Sequence, residues 1–244
     1  MTDSVRLAKR VAELRACSRR EAELLITGGW VRVDGIVIEE PQFRVADQRI
    51  DIDPQADLSQ AEPVTLLLHK PARFHALADG YPSDKSAARL LGAASLWAED
   101  ASGIRPLKMH FTQLGLCVPL ETEASGLVVF TQDWRVMRKL TDDAAAMEHE
   151  VIVEVAGELT PNGLKLMNRG IPYEGRTPPA IKVSWQNETR LRVALKGARP
   201  GQISHLCQAV GLQVLSMKRI RLGGVSLGKV PPGQWRYLRG DERF

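Results

Sequence analysis

Apolar positions in the first thirty residues recur at helical spacing. Val5, Leu7, Val11, Ala12 and Leu14 share one helical face, and "SRREAELLITGG" continues as a second helix. Ser18 is a good N-cap and Glu21, three residues on, completes a capping box, while Gly28 and Gly29 end the helix. The pattern then switches to alternation. "WVRVDGIVI" predicts two short strands around an Asp34-Gly35 turn, and "FRVADQRIDID" adds strand and turn before the unit closes near Asp53. Residues 54–63 are polar and bounded by prolines, which predicts a linker between a domain at 1–53 and a larger one at 64–244. In the second domain "VTLLLHKP" and "GLVVFTQD" read as buried strands, "KSAARLLGAASLWAED" contains a helix, and "WRVMRKLTDDAAAM" is another. "HEVIVEVAGEL" is a strand, "PNGLKLMNRGI" a short helix, and "AIKVSWQNETRLRVALK" a hairpin turning at Gln186-Asn187. The final stretch from Gly201 reads as a helix followed by strands and a Pro-Gly turn. Runs of strands with few helices between them predict an α+β fold with a mainly antiparallel sheet.

Composition narrows the class. The 244 residues are 44% hydrophobic and 25% charged, ordinary for a soluble globular chain. No apolar run approaches the roughly 18 residues of a membrane span, and the N-terminus lacks the apolar core of a secretory signal. Cys17, Cys117 and Cys207 are scattered, without the spacing of a disulfide framework or a zinc site, so buried thiols in a cytoplasmic protein are expected. His69, His75 and His110 likewise lack metal-ligand spacing. The net charge of +4 is unevenly spread. Arg6 to Arg20 holds six Lys or Arg against Glu13 alone, and Arg190 to Phe244 holds eleven against two acids. Two basic segments far apart in sequence point to a polyanion, with nucleic acid the usual one.

The first unit resembles the RNA-binding domain of ribosomal protein S4 and its relatives. The pattern is matched at Arg6, Leu7, Val11, Ala12, Ser18, Arg19, Arg20, Ala22, Ile26, Gly29, Val31, Val33 and Gly35. The capping Ser18 places Arg19 and Arg20 in a first helical turn, where free backbone N–H groups also attract phosphate oxygens. Arg6, Lys9 and Arg10 extend that cationic face. Residues 64 to 240 resemble the RNA pseudouridine synthases that carry this domain and modify ribosomal RNA. The resemblance rests on "LLLHKP", on "LETEASGLVVFTQD" as the catalytic loop and its strand, and on "GQISHLCQAVGLQVLSMKRIRLGG" as the last motif.

The resemblance implies no metal and no organic cofactor, and RNA, ribosomal RNA in particular, as partner; a monomer with no membrane partner is expected besides. It also implies a carboxylate that attacks or removes a proton while the base is held flipped in a pocket. Aligned on Ser125-Gly126-Leu127, the usual Asp is Glu121, the usual Tyr is His149, and the Arg that pairs with the carboxylate is Ser204. Pro119 replaces a further arginine of the loop. Lys70, Arg219 and Arg221 are candidate RNA contacts, alternation placing the two arginines on one face and Lys218 on the other. Two functions compete: a synthase using Glu121, or an RNA-binding protein on a synthase fold that no longer isomerises uridine. A third and weaker one is an RNA-linked adaptor that binds protein through the former cleft.

Overall fold

The computed structural model describes residues 4–56, 63–76, 84–176, 179 and 181–244; residues 57–62 of the expected linker lie outside them. The chain divides into two units, Met1–Pro63 with Arg105–Gln113, and Val64–Ile104 with Leu114–Phe244.

In the first unit β1 (Val5–Arg6) leads into α1 (Leu7–Arg15), which packs on α2 (Arg19–Thr27). Ser18 caps α2 as its sequence suggests, its side chain accepting from Glu21 N while Glu21 reaches back to Ser18 N. Leu7, Val11, Ala22, Leu25 and Ile26 are fully buried, because helical spacing puts them on the shared face. They meet Val31 and Val33 of β2 (Val31–Val33), which pairs with β3 (Ile36–Val37) and β5 (Ile50–Ile52); β4 (Arg44–Val45) pairs with β1. The later segment 105–113 belongs here too. Arg105 donates to Gly29 O at 2.8 Å, Lys108 N to Glu39 at 2.6 Å, and the Lys108 ammonium pairs with Glu40. A side chain at Gly29 would strike Arg105 and Leu107, and its φ of 71° also favours glycine.

The second unit is built on a mixed sheet. β6 (Thr65–Lys70), β7 (Gly115–Cys117), β8 (Ser125–Thr131), β9 (Glu148–Gly157), β10 (Lys182–Trp185), β11 (Arg190–Lys196), β12 (Leu212–Leu222), β13 (Val225–Ser226) and β14 (Trp235–Tyr237) supply it. The main path runs β10-β11-β9-β12-β8-β6-β14, with β13 on β12 and β7 on β8. All pairs are antiparallel except β12 with β8, where Lys218 and Arg219 lie beside Ser125 and Gly126. Three helices attach to it: α3 (Trp134–Asp142), α4 (Gly163–Arg169) and α5 (Gln202–Gln208). One apolar cluster gathers Val153, Met167, Val193, Leu206 and Cys207, and another Leu67, Leu127, Val129, Leu140 and Leu222. The helix expected within 85–100 does not form; the structure makes two short 3-10 turns there, Ala87–Leu90 and Ala93–Ser95. Gly92, extended at φ −173°, separates them. Among the described residues no helix is long and apolar enough to cross a membrane.

Candidate RNA-binding surface and cleft

Of the cations expected to meet RNA in the first unit, Arg6, Lys9 and Arg19 line one open groove of about 620 Å³. Arg44 joins them from β4, a contributor that the two-residue strand hid in the sequence. Arg10 and Arg20 are exposed outside this lining; Ser18 is spent on the cap. The ion pairs Arg10–Glu13 and Arg19–Glu23 are half-exposed and weak, so phosphate can compete for the arginines at little cost.

In the second unit, the 118–124 loop joins β7 to β8. Val118 takes a left-handed φ of 53°, turning the chain so that carbonyl groups face inward. Two buried cations hold those carbonyls. The Lys70 ammonium, with no exposed surface, donates to Pro71, Phe74, Thr122 and Ala124 oxygens at 2.6–3.0 Å. The Arg219 guanidinium donates to Leu127, Pro119 and Val118 oxygens at 2.8, 3.2 and 2.9 Å. Burial pulls Lys70 down to about 8, with Arg219 adding to the shift, and pulls Arg219 down to about 9. These positions correct the expectation that Lys70 and Arg219 grip RNA: both are enclosed, with their donors committed to backbone carbonyls of the loop, of the turn after Lys70 and of Leu127. The expected pairing of Arg219 and Arg221 on one face also fails, because the register shifts between them. Arg221 instead reaches Glu148 and Glu150, each at 2.6 Å, and Arg192 pairs with Glu150 as well. Those ion pairs hold the Glu150 carboxyl below its ordinary value, the Arg192 hydrogen bond contributing most.

Glu121 stands at the tip of the loop and His149 on β9; both line a narrow cleft of about 60 Å³, with Arg199, Ile203, Met217 and Arg219 among its walls. Glu121 Oε1 accepts from Gly201 N at 2.9 Å, and Glu121 forms no ion pair. Gly201 precedes α5 with φ 76°. His149 is 5% exposed, and burial, then the nearby Arg219 charge, lowers its pKa to about 3. The imidazole is therefore neutral at pH 7. Ser204 is half-buried on α5 outside the cleft lining, so it supplies no substitute for an arginine at the carboxylate. Among the described residues no cluster of His, Cys, Asp or Glu has the geometry to hold a metal.

Residues 5–48 match the S4 domain. Over 98% of its length the chain is 26% identical to an uncharacterized RNA pseudouridine synthase of Aquifex aeolicus, covering 94% of that protein. It is 26% identical to the dual-specificity RNA pseudouridine synthase RluF of Escherichia coli (strain K12), covering 98% of this chain and 77% of that one. It is 30% identical to the putative chloroplastic ribosomal large subunit pseudouridine synthase SVR1 of Arabidopsis thaliana over 91% of this chain and 55% of that protein. A crystal structure of a pseudouridylate synthase superposes with a TM-score of 0.60 over 96% of each chain at 19% identity, so the fold is shared. The chain thus carries an S4 domain, is similar over nearly its whole length to RNA pseudouridine synthases, and shares the fold of a pseudouridylate synthase.

Proposed function

We propose that this protein binds ribosomal RNA through its S4 unit and its synthase-like unit, and that its cleft no longer isomerises uridine. The observation that carries this reading is the setting of Glu121. Its carboxylate is held by a backbone amide and forms no ion pair, although Arg199 and Arg219 line the same cavity of about 60 Å³. Pockets that enclose a nucleoside-sized ligand are commonly about 300–1,000 Å³. The extra methylene of Glu over Asp displaces the charge by about 1 Å or more, a misplacement that costs on the order of 100-fold. His149 provides a neutral, buried ring in place of the expected tyrosine. The names of the relatives support RNA as the ligand, and that of the Arabidopsis relative supports ribosomal RNA.

A second reading keeps the reaction, with Glu121 as its carboxylate. It is favoured by one feature: Glu121 and His149 line the same cleft. Position-by-position mass spectrometry of pseudouridine in ribosomal RNA, from cells with and without the gene, separates the two. The first reading expects identical maps, and no gain on Glu121→Asp because the arginine is still missing. A pseudouridine that disappears with the gene, returns with wild type and stays absent with Glu121→Gln would establish the second.

A further inference from the structure

Beside the Glu121 cleft lies a second cavity of about 220 Å³, lined by Tyr173, Arg176, Lys196, Arg199 and Gln202. Arg199 lines both. The geometry points to a subsite here for a backbone phosphate of the RNA strand that passes the Glu121 cleft. This deepens the ribosomal RNA-binding reading and rests on it.

The walls are built rather than incidental. Tyr173 and Arg176 exchange backbone hydrogen bonds of 2.9 and 3.1 Å across a tight turn. Its central residues, Glu174 and Gly175, both have left-handed φ, 47° and 72°. The Tyr173 hydroxyl donates to Pro200 O at 2.7 Å, fastening the turn to the approach of α5. Gly201 permits this: a Cβ there would stand 2.6 Å from the Tyr173 hydroxyl. The same Gly201 amide holds Glu121, so the turn, α5 and the cleft loop meet at one residue. Gln202, 6% exposed, accepts from Arg199 N and fixes the backbone that carries Arg199.

Charge argues for the occupant. Among the described residues neither Arg176 nor Lys196 meets a carboxylate. Arg199 touches only Glu174, at 3.5 Å between partly exposed side chains, a pair of little worth. Some exposed arginines of this unit are paired, as Arg190 is with Glu154 and Arg138 with Asp142, and others such as Arg73 and Arg169 are not; what sets this cavity apart is that three cations line it together. Cations gathered around one cavity repel each other unless an anion joins them. Arginine's planar fork matches phosphate oxygens in a bidentate fashion. The cavity has room for a phosphate and its sugar and is smaller than the pockets that enclose whole ligands, about 300–1,000 Å³.

The test uses the full chain and unmodified ribosomal RNA made by transcription, with Kd measured between about 50 and 300 mM KCl. Arg176→Ala with Lys196→Ala should weaken binding about 10-fold near 100 mM and lower the salt slope by about 1–2, as losing two phosphate contacts does. The charge-keeping pair Arg176→Lys and Lys196→Arg should keep the wild-type salt slope, and Lys229→Ala, an exposed cation outside the cavity lining, should stay near wild type in both slope and Kd. An unchanged slope in the alanine pair, or an equal loss in Lys229→Ala, overturns the subsite while leaving ribosomal RNA binding intact. Failure of the wild type to bind ribosomal RNA removes the underlying reading and the subsite with it. Selective displacement of RNA from wild type, and not from the alanine pair, by inorganic phosphate at matched ionic strength would reassign the cavity to free phosphate.

Discussion

The ammonium of Lys70 is bonded to the carbonyl oxygens of Thr122 and Ala124, just after Glu121, and the guanidinium of Arg219 to those of Val118 and Pro119, just before it, and of Leu127. From sequence both read as cations at an RNA surface, because nothing in a strand-end lysine or an alternating arginine reveals that a neighbouring loop will turn its carbonyls inward. Lys70→Met should therefore cost about 3 kcal/mol, since it leaves buried carbonyls without donors. A lower denaturant midpoint with an unchanged slope would register that loss, and the salt slope of RNA binding should stay put. A lysine at the RNA surface would give the reverse pair of results. His149 carries a second signature. Its folded pKa near 3 lies below its ordinary 6.5. Between those values the unfolded chain binds the proton and the folded one does not, so stability is full above about pH 6.5 and is lost as pH falls towards 3. At pH 4.5 this loss is about 2–3 kcal/mol. Denaturant midpoints taken at pH 7 and 4.5 should thus fall less for His149→Gln than for wild type, and parallel falls would contradict the buried neutral ring.

Strands and helices followed their patterns where a single face was buried. The α1–α2 pair and its cap were readable from Leu7, Val11, Ser18 and Glu21, and the β10–β11 hairpin from its alternating valines and leucines. What pattern could not supply was partnership. The parallel contact of β8 with β12 brings Gly126 against Arg219, residues 93 positions apart. Nor does alternation reveal the irregularity in β12 that sends Arg219 inward and Arg221 to Glu150. Gly126 is where this junction is least forgiving. Its φ is 114°, and a Cβ would lie 2.2 Å from Arg219 O and 2.5 Å from Arg219 N. Both neighbours are backbone and cannot swing aside. Gly126→Ala should cost more than about 3 kcal/mol and lower the melting temperature by about 6–12 °C. A shift under about 2 °C would mean that the two strands separate more easily than their register implies.

At the scale of the whole chain, the S4-type unit and the order of the synthase-like motifs were legible, because both depend on local runs such as Ser18-Arg19-Arg20 and Glu121 to Leu127. The narrowness of the cleft was not, since it follows from how the 118–124 loop, β9 and α5 close together, and neither was the cavity beside it, whose cations come from two separate stretches, one at Arg176 and one from Lys196 to Arg199. Nor did any pattern announce that residues 105–113 complete the first unit, with Leu107 and His110 buried and Arg105 bonded to Gly29. That excursion has a consequence for how the protein is made. A nascent chain extended as far as Pro63 has both α-helices and all the strands of its first unit but lacks the segment that closes it, which is translated about 50 residues later. At elongation rates of about 5–20 residues per second, that unit waits a few seconds beyond the ribosome exit for its last piece. During that interval Glu39, Glu40 and the carbonyl of Gly29 face water, and maturation of the N-terminal unit is timed by synthesis of its neighbour.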